Sequence, residues 1–118
     1  MSVEDLLESG MRAQDQGDLK TALQLFQQAL EQQESAEIWL LLADAQVEKG
    51  SFAKAHKSLS AGLKLAPGDI DLLFSRGDLY LEEANHRKAI ATYQQIIDLD
   101  AEDVDAWVCK AVAQLNSN

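Results

Sequence analysis

Residues 36–69 read AEIWLLLADAQVEKGSFAKAHKSLSAGLKLAPGD, and their punctuation divides them into two helices. Trp39, Leu42, Ala43 and Gln46 recur at helical spacing through the first half, forming a mostly apolar stripe. Phe52, Ala55, Leu59, Gly62 and Leu63 do the same in the second half. Between the halves, Gly50 is suited to the left-handed conformation that ends a helix. Ser51 then stands where a side-chain oxygen accepts from the free N–H groups of the next helix. Pro67 stops that helix, because proline has no N–H to continue it, and Asp69 is placed to cap another.

The same unit recurs along the chain. Gly10, Ala43, Gly77 and Ala111 are spaced 33, 34 and 34 residues apart, and Leu6, Trp39, Leu73 and Trp107 keep that spacing. So do Ala22, Ala55 and Ala89, then Phe26, Leu59 and Tyr93, then Leu30, Leu63 and Ile97. The turns QGD (16–18), KGS (49–51) and EAN (83–85) follow the same period. A fixed period of this length marks a stack of supersecondary units, each burying its apolar face against its neighbours. Small residues in the 10, 43, 77 and 22, 55, 89 columns let paired helices approach closely, and large ones at 39, 52, 59, 80 and 93 fill the space. At the amino terminus, Ser2 precedes Asp5 by three residues, a capping box with Asp in place of Glu.

These residues resemble the tetratricopeptide repeat family over nearly the whole chain. Residues 36–69 carry the closest likeness, with Trp39, Leu42, Ala43, Gly50, Phe52, Ala55, Leu63 and Pro67 in signature places. The third unit keeps Gly77, Tyr80, Ala89 and Tyr93 but has Ala84 where glycine is usual and His86 where a large apolar residue is usual. The first has Glu34 in the proline position and Ser9 in an apolar slot. The resemblance implies an all-α fold: an α-solenoid of three helix-turn-helix repeats (3–35, 36–69, 70–103) forming a single domain, plus a C-terminal capping helix at 104–116. In that last helix, Trp107 and Ala111 are expected to form the inward stripe of a lid over Tyr93, Ile96 and Ile97.

The resemblance also implies that the first helix of each unit lines a concave side. The face opposite the packing stripe there holds Glu4, Leu7, Met11, Gln14 and Asp15 in the first unit. The second unit offers Glu37, Leu40, Asp44, Val47 and Glu48, and the third Asp71, Phe74, Asp78, Leu81 and Glu82. The last helix adds Asp105, Val108, Val112 and Leu115. Residues three and four apart share one helix surface, so acids and apolar side chains alternate along it with no Lys or Arg. Such a groove suits a basic or amphipathic peptide or helix. Some family members hold the carboxylate of chaperone tails with a Lys/Asn clamp. Here the corresponding positions are Leu7, Met11, Leu41, Asp71 and Ser75, none of which donates a charge-assisted hydrogen bond.

Composition narrows the function classes. The chain has 118 residues, 47% of them hydrophobic, which suits one globular domain. A net charge of −10 disfavours nucleic acid and anionic membranes as partners. No apolar run spans a bilayer, and the amino terminus lacks the features of a secretory signal, so a cytoplasmic location is expected. The single cysteine, Cys109, forms no internal disulfide framework and reads as a structural thiol. His56 and His86 fall in columns that are otherwise apolar and read as half-buried packing residues, too few for a metal site. No phosphate-binding glycine motif or nucleophile–base pair occurs, so neither cofactor, metal nor catalysis is expected. The sequence therefore points to a non-catalytic adaptor or scaffold. Two rival roles are a small dedicated chaperone or assembly factor that shelters an apolar client segment, and self-association through the C-terminal end.

Overall fold

The computed structural model describes residues Met1–Ser117. Seven helices follow one another: α1 (Val3–Asp15), α2 (Leu19–Gln32), α3 (Ala36–Lys49), α4 (Phe52–Leu65), α5 (Ile70–Glu82), α6 (His86–Leu99) and α7 (Val104–Asn116). No strand occurs among the described residues. The architecture is thus three helix–turn–helix repeats followed by one further helix.

Capping explains where the helices start. Ser2, Asp18, Ser35, Asp69, Asn85 and Asp103 each accept from the backbone N–H three residues on. Ser51 makes no such bond, contrary to the expectation from sequence. The reason is reach. Ser2 and Ser35 cap from an extended backbone, with ψ 164 and 157. Ser51 sits at ψ 67, close to Asp18 and Asn85 at ψ 74. From that conformation the longer Asp and Asn side chains bridge to the helix, and the serine hydroxyl falls short.

The three turns inside the repeats are alike. Gly17, Gly50 and Ala84 all have positive φ, at 81, 84 and 58. In each turn the next residue donates its N–H to a carbonyl five positions back: Asp18 to Ala13, Ser51 to Gln46 and Asn85 to Tyr80. This pattern ties off the free carbonyls at a helix end. Ala84 adopts it despite its Cβ, so the third repeat keeps the turn at the cost of local strain.

The chain divides into two compact units, Met1–Pro67 and the residues from Gly68 onward. In the first, α2 packs on α1 and α3, and α3 on α4. Ala13, Ala22, Phe26, Leu42 and Ala45 form one buried cluster, and Leu6, Ala29 and Ile38 another. In the second unit, α6 packs on both α5 and α7. Tyr93 and Ile96 are fully buried there.

Close approach explains the small-residue column. A Cβ on Gly10 would stand 2.5 Å from the Phe26 ring, and one on Gly77 2.6 Å from the Tyr93 ring. Ala43 does carry a Cβ, and the buried residue in the matching α4 column is the smaller Leu59. Glycine thus stands against the ring in the first and third repeats, and in the second, where the column holds alanine, the residue in the facing column is aliphatic.

On α7 the inward stripe is not the expected one. Ala106 and Ala113 are buried and Cys109 and Lys110 half-buried, whereas Trp107 is 49% exposed and Ala111 is exposed. The face of α7 against α6 is the one that Ile38 and Ala45 occupy on α3 and Leu72 and Leu79 on α5, all buried. Trp107 and Ala111 belong to the other face, where α1, α3 and α5 each receive the second helix of their own repeat.

Candidate functional site

The anticipated binding residues fall on one face of each first helix. On α3, Glu37, Asp44 and Glu48 are exposed, and Leu40 and Val47 half-buried. On α5, Asp71, Asp78 and Glu82 are exposed, and Phe74 and Leu81 half-buried. Asp105 and Val108 are exposed on α7, Val108 at 54%. The alternation therefore survives folding: carboxylates reach water while the apolar side chains between them stay partly covered. Each unit carries its own strip of this kind.

Packing holds these strips in place. In the first unit the Gln14 amide donates to Glu48 at 2.6 Å, joining the ends of α1 and α3. Leu7, at a position of the carboxylate clamp, packs against both buried clusters of this unit. Leu41, at another, packs on the Phe26 cluster. Met11 is 42% exposed, Asp71 exposed and Ser75 half-buried, so the five clamp positions present no cationic donor.

In the second unit the Tyr93 hydroxyl donates to Asp78 at 2.6 Å, and the Phe74 and Tyr93 rings lie tilted with centroids 6.3 Å apart. Asp78 thus serves the α5–α6 contact as well as the strip. Burial, and then the bond to Asp78, raise the ionisation of Tyr93 well above the ordinary phenol range. Cys109 stands beside the same groups. Burial pushes its thiol up, and the Asp78 and Asp105 carboxylates push it further. Such a thiol resists ionisation and is a poor nucleophile, which fits a structural role. The repeat pattern carries no sign of the Tyr93–Asp78 bond. Phe26 and Leu59, in the same column, carry no hydroxyl.

His56 and His86 are half-buried, and no group of three His, Cys, Asp or Glu side chains stands ready for a metal among the described residues. Shallow depressions lie on the second helices. One of about 330 Å³ is lined by His56, Lys57, Ser60, Ala61 and Lys64 of α4, and one of about 210 Å³ by residues of α2, α3 and α4. No helix among the described residues is long and apolar enough to cross a membrane.

Comparison with known proteins agrees with this fold. Two tetratricopeptide repeat family models match, one over residues 13–75, more than half of the chain, and one over 70–103. The human general transcription factor 3C polypeptide 3 is 30% identical over 87 residues, which are 73% of this chain and 10% of that protein. The chain therefore spans about a tenth of that relative. Among solved structures, the first such domain of Spaghetti (RPAP3), bound to the HSP90 peptide SRMEEVD, superposes with a TM-score of 0.87. It is 16% identical, with 97% of this chain and 94% of that one covered. A tetratricopeptide repeat protein from Parabacteroides merdae gives 0.86 at 24% identity, covering 98% of this chain and 47% of that one. The Arabidopsis OM64 domain gives 0.86 at 16% identity, covering 97% and 95%. At these identities the structural likenesses establish the fold.

Proposed function

The chain belongs to the tetratricopeptide repeat family, and from that premise we propose that it is a non-catalytic protein-binding module acting as an adaptor or scaffold. Its ligand is a basic or amphipathic peptide or helix, taken on the acidic–apolar face of α3 in the first unit or on those of α5 and α7 in the second. One observation carries this reading: Glu37, Asp44 and Glu48 alternate with Leu40 and Val47, and Asp71, Asp78 and Glu82 with Phe74 and Leu81, all at matching positions of successive repeats. Carboxylates in this arrangement speed the encounter with a cationic ligand and fix its register. The partly covered apolar side chains supply the desolvated contact. The domain of Spaghetti (RPAP3) binds SRMEEVD. Leu7, Met11, Leu41, Asp71 and Ser75 offer no charge-assisted donor to hold such a carboxylate, so acidic tails are expected not to bind this chain.

Titration of a cationic amphipathic helix against the wild type and an Asp44→Lys, Asp71→Lys, Glu82→Lys variant tests the proposal. These positions spare Asp78 and its bond to Tyr93. Binding is expected to weaken at least about tenfold in the variant and to fall with added salt. Equal binding by both proteins defeats the reading.

A second role, a dedicated chaperone sheltering an apolar client segment, is favoured by the exposure of Val108, Val112 and Leu115 at 54, 43 and 75%. It predicts co-purification with one unstable client. Self-association through the C-terminal end is compatible with either role. The acidic surface and the lone thiol fit a cytoplasmic setting.

A further inference from the structure

Val104, Trp107, Val108, Val112 and Leu115 of α7 are exposed at 70, 49, 54, 43 and 75%, and Ala111 lies exposed among them. These six positions are three or four residues apart and form one continuous apolar face. No described element covers it. In the earlier repeats the matching small residues are covered: Gly10 lies under the Phe26 ring and Gly77 under the Tyr93 ring. Trp107 is also held in place. Its indole N–H donates to the Ala101 carbonyl at 2.8 Å, and the Lys110 ammonium lies 5.8 Å from the ring centroid. A fixed, half-exposed tryptophan is a preorganised anchor for a protein contact.

We propose that this face pairs two copies of the chain, α7 against α7, antiparallel about a two-fold axis. The six positions are symmetric about the middle of the helix, between Cys109 and Lys110. Antiparallel pairing sets Val104 opposite Leu115, Trp107 opposite Val112 and Val108 opposite Ala111, apolar against apolar throughout.

Charge selects the same surface. The chain carries −10, so two copies repel one another over most of their area. Helix α1 alone carries Glu4, Glu8, Asp5 and Asp15 against one Arg12, whereas α7 carries Asp105 balanced by Lys110. In the pairing Asp105 faces Gln114, so no acid meets an acid. A two-fold contact of this kind closes on itself and stops at the dimer. One helix pair lies at the small end of specific interfaces, so the association is micromolar and concentration-dependent. This inference does not rest on peptide binding by the acidic strips.

Sedimentation of the full chain across the micromolar range, with no peptide present, tests it. The wild type is expected to pass from monomer to dimer, and in a Trp39→Phe background, where Trp107 is the one tryptophan, its emission should shift to the blue over the same range. Ala111→Arg and, separately, Leu115→Glu change exposed positions, so helicity by circular dichroism should be unchanged. Each is expected to raise the dimer dissociation constant at least about tenfold. The Asp44, Asp71, Glu82 variant used for peptide binding should dimerise no worse than the wild type, which separates the two proposals. A chain that stays monomeric throughout overturns the pairing, as does a dimer that both α7 variants leave intact. A monomer that instead binds a peptide copying α6, residues 86–99, at Trp107 also overturns it and assigns the face to a heterologous helix.

Discussion

Trp39 and Trp107 occupy the same column of the repeat, four residues before a small residue on the first helix of a unit. Each indole N–H has an acceptor: Glu34 for Trp39 at 3.3 Å and the Ala101 carbonyl for Trp107 at 2.8 Å. Their surroundings differ. Trp39 packs on the cluster formed by Ala13, Ala22, Phe26, Leu42 and Ala45. Trp107 is half exposed, and the Ala111 beside it is exposed too. One sequence pattern thus makes core in one place and surface in another. The deciding factor is what packs on the ring, which no residue of the pattern encodes.

Truncating the two tryptophans puts the largest strain on this comparison. Trp39→Ala should cost about 2–3 kcal/mol in chemical denaturation, below the cost for a fully buried ring because Trp39 is half-buried. Trp107→Ala, studied in dilute monomer, should cost about 1 kcal/mol, mostly its bond to Ala101. Equal losses would show that the two environments are energetically the same. The small-residue column offers a second contrast. Gly77→Ala pushes a Cβ into the Tyr93 ring. It should lower stability by about 1–2 kcal/mol after the helix-propensity gain of alanine is subtracted. Ala111→Leu, on the uncovered face, should stay within about 0.5 kcal/mol in dilute monomer.

Tyr93 distinguishes the third repeat from the first two by its hydroxyl. Tyr93→Phe removes the bond to Asp78 and should cost about 1–2 kcal/mol at neutral pH. The ionisation of Tyr93 is raised in the folded chain, so the neutral phenol is the form that folding favours. That contribution is complete below the unfolded value of about 10 and fades as pH rises through the folded value. The gap between wild type and Tyr93→Phe should therefore narrow above about pH 10, as followed by denaturation at a series of alkaline pH values. The smallest effect belongs to the turns. Ala84→Gly relieves the left-handed strain that Gly17 and Gly50 avoid, and should raise the melting temperature, by about 0.5–1 kcal/mol of stability.

Most of the fold was legible because the repeat prints it several times. Five columns in one register locate the helices, and the residues at the turns locate their ends. Three features were not legible, each for its own reason. Ser51 has the right chemistry for a cap but not the backbone conformation from which serine reaches. The exposure of Trp107 and Ala111 depends on a neighbour, and the inward face of α7 is marked only by Ala106 and Ala113, small residues that a hydrophobic stripe does not single out. Along the candidate strip, the alternation of acid and apolar residues was legible from spacing alone. The commitment of Asp78 to Tyr93 and of Glu48 to Gln14 was not, because it depends on side-chain geometry between helices.

On the proposed reading, the first-helix faces select cationic ligands and have no charged donor to hold an acidic tail. Fluorescence anisotropy with the peptide SRMEEVD and an analogue carrying lysine at its three acidic positions compares the two directly on one protein. Saturable, salt-sensitive binding is expected of the lysine analogue and none of SRMEEVD. Micromolar binding of SRMEEVD, with the analogue silent, would contradict it.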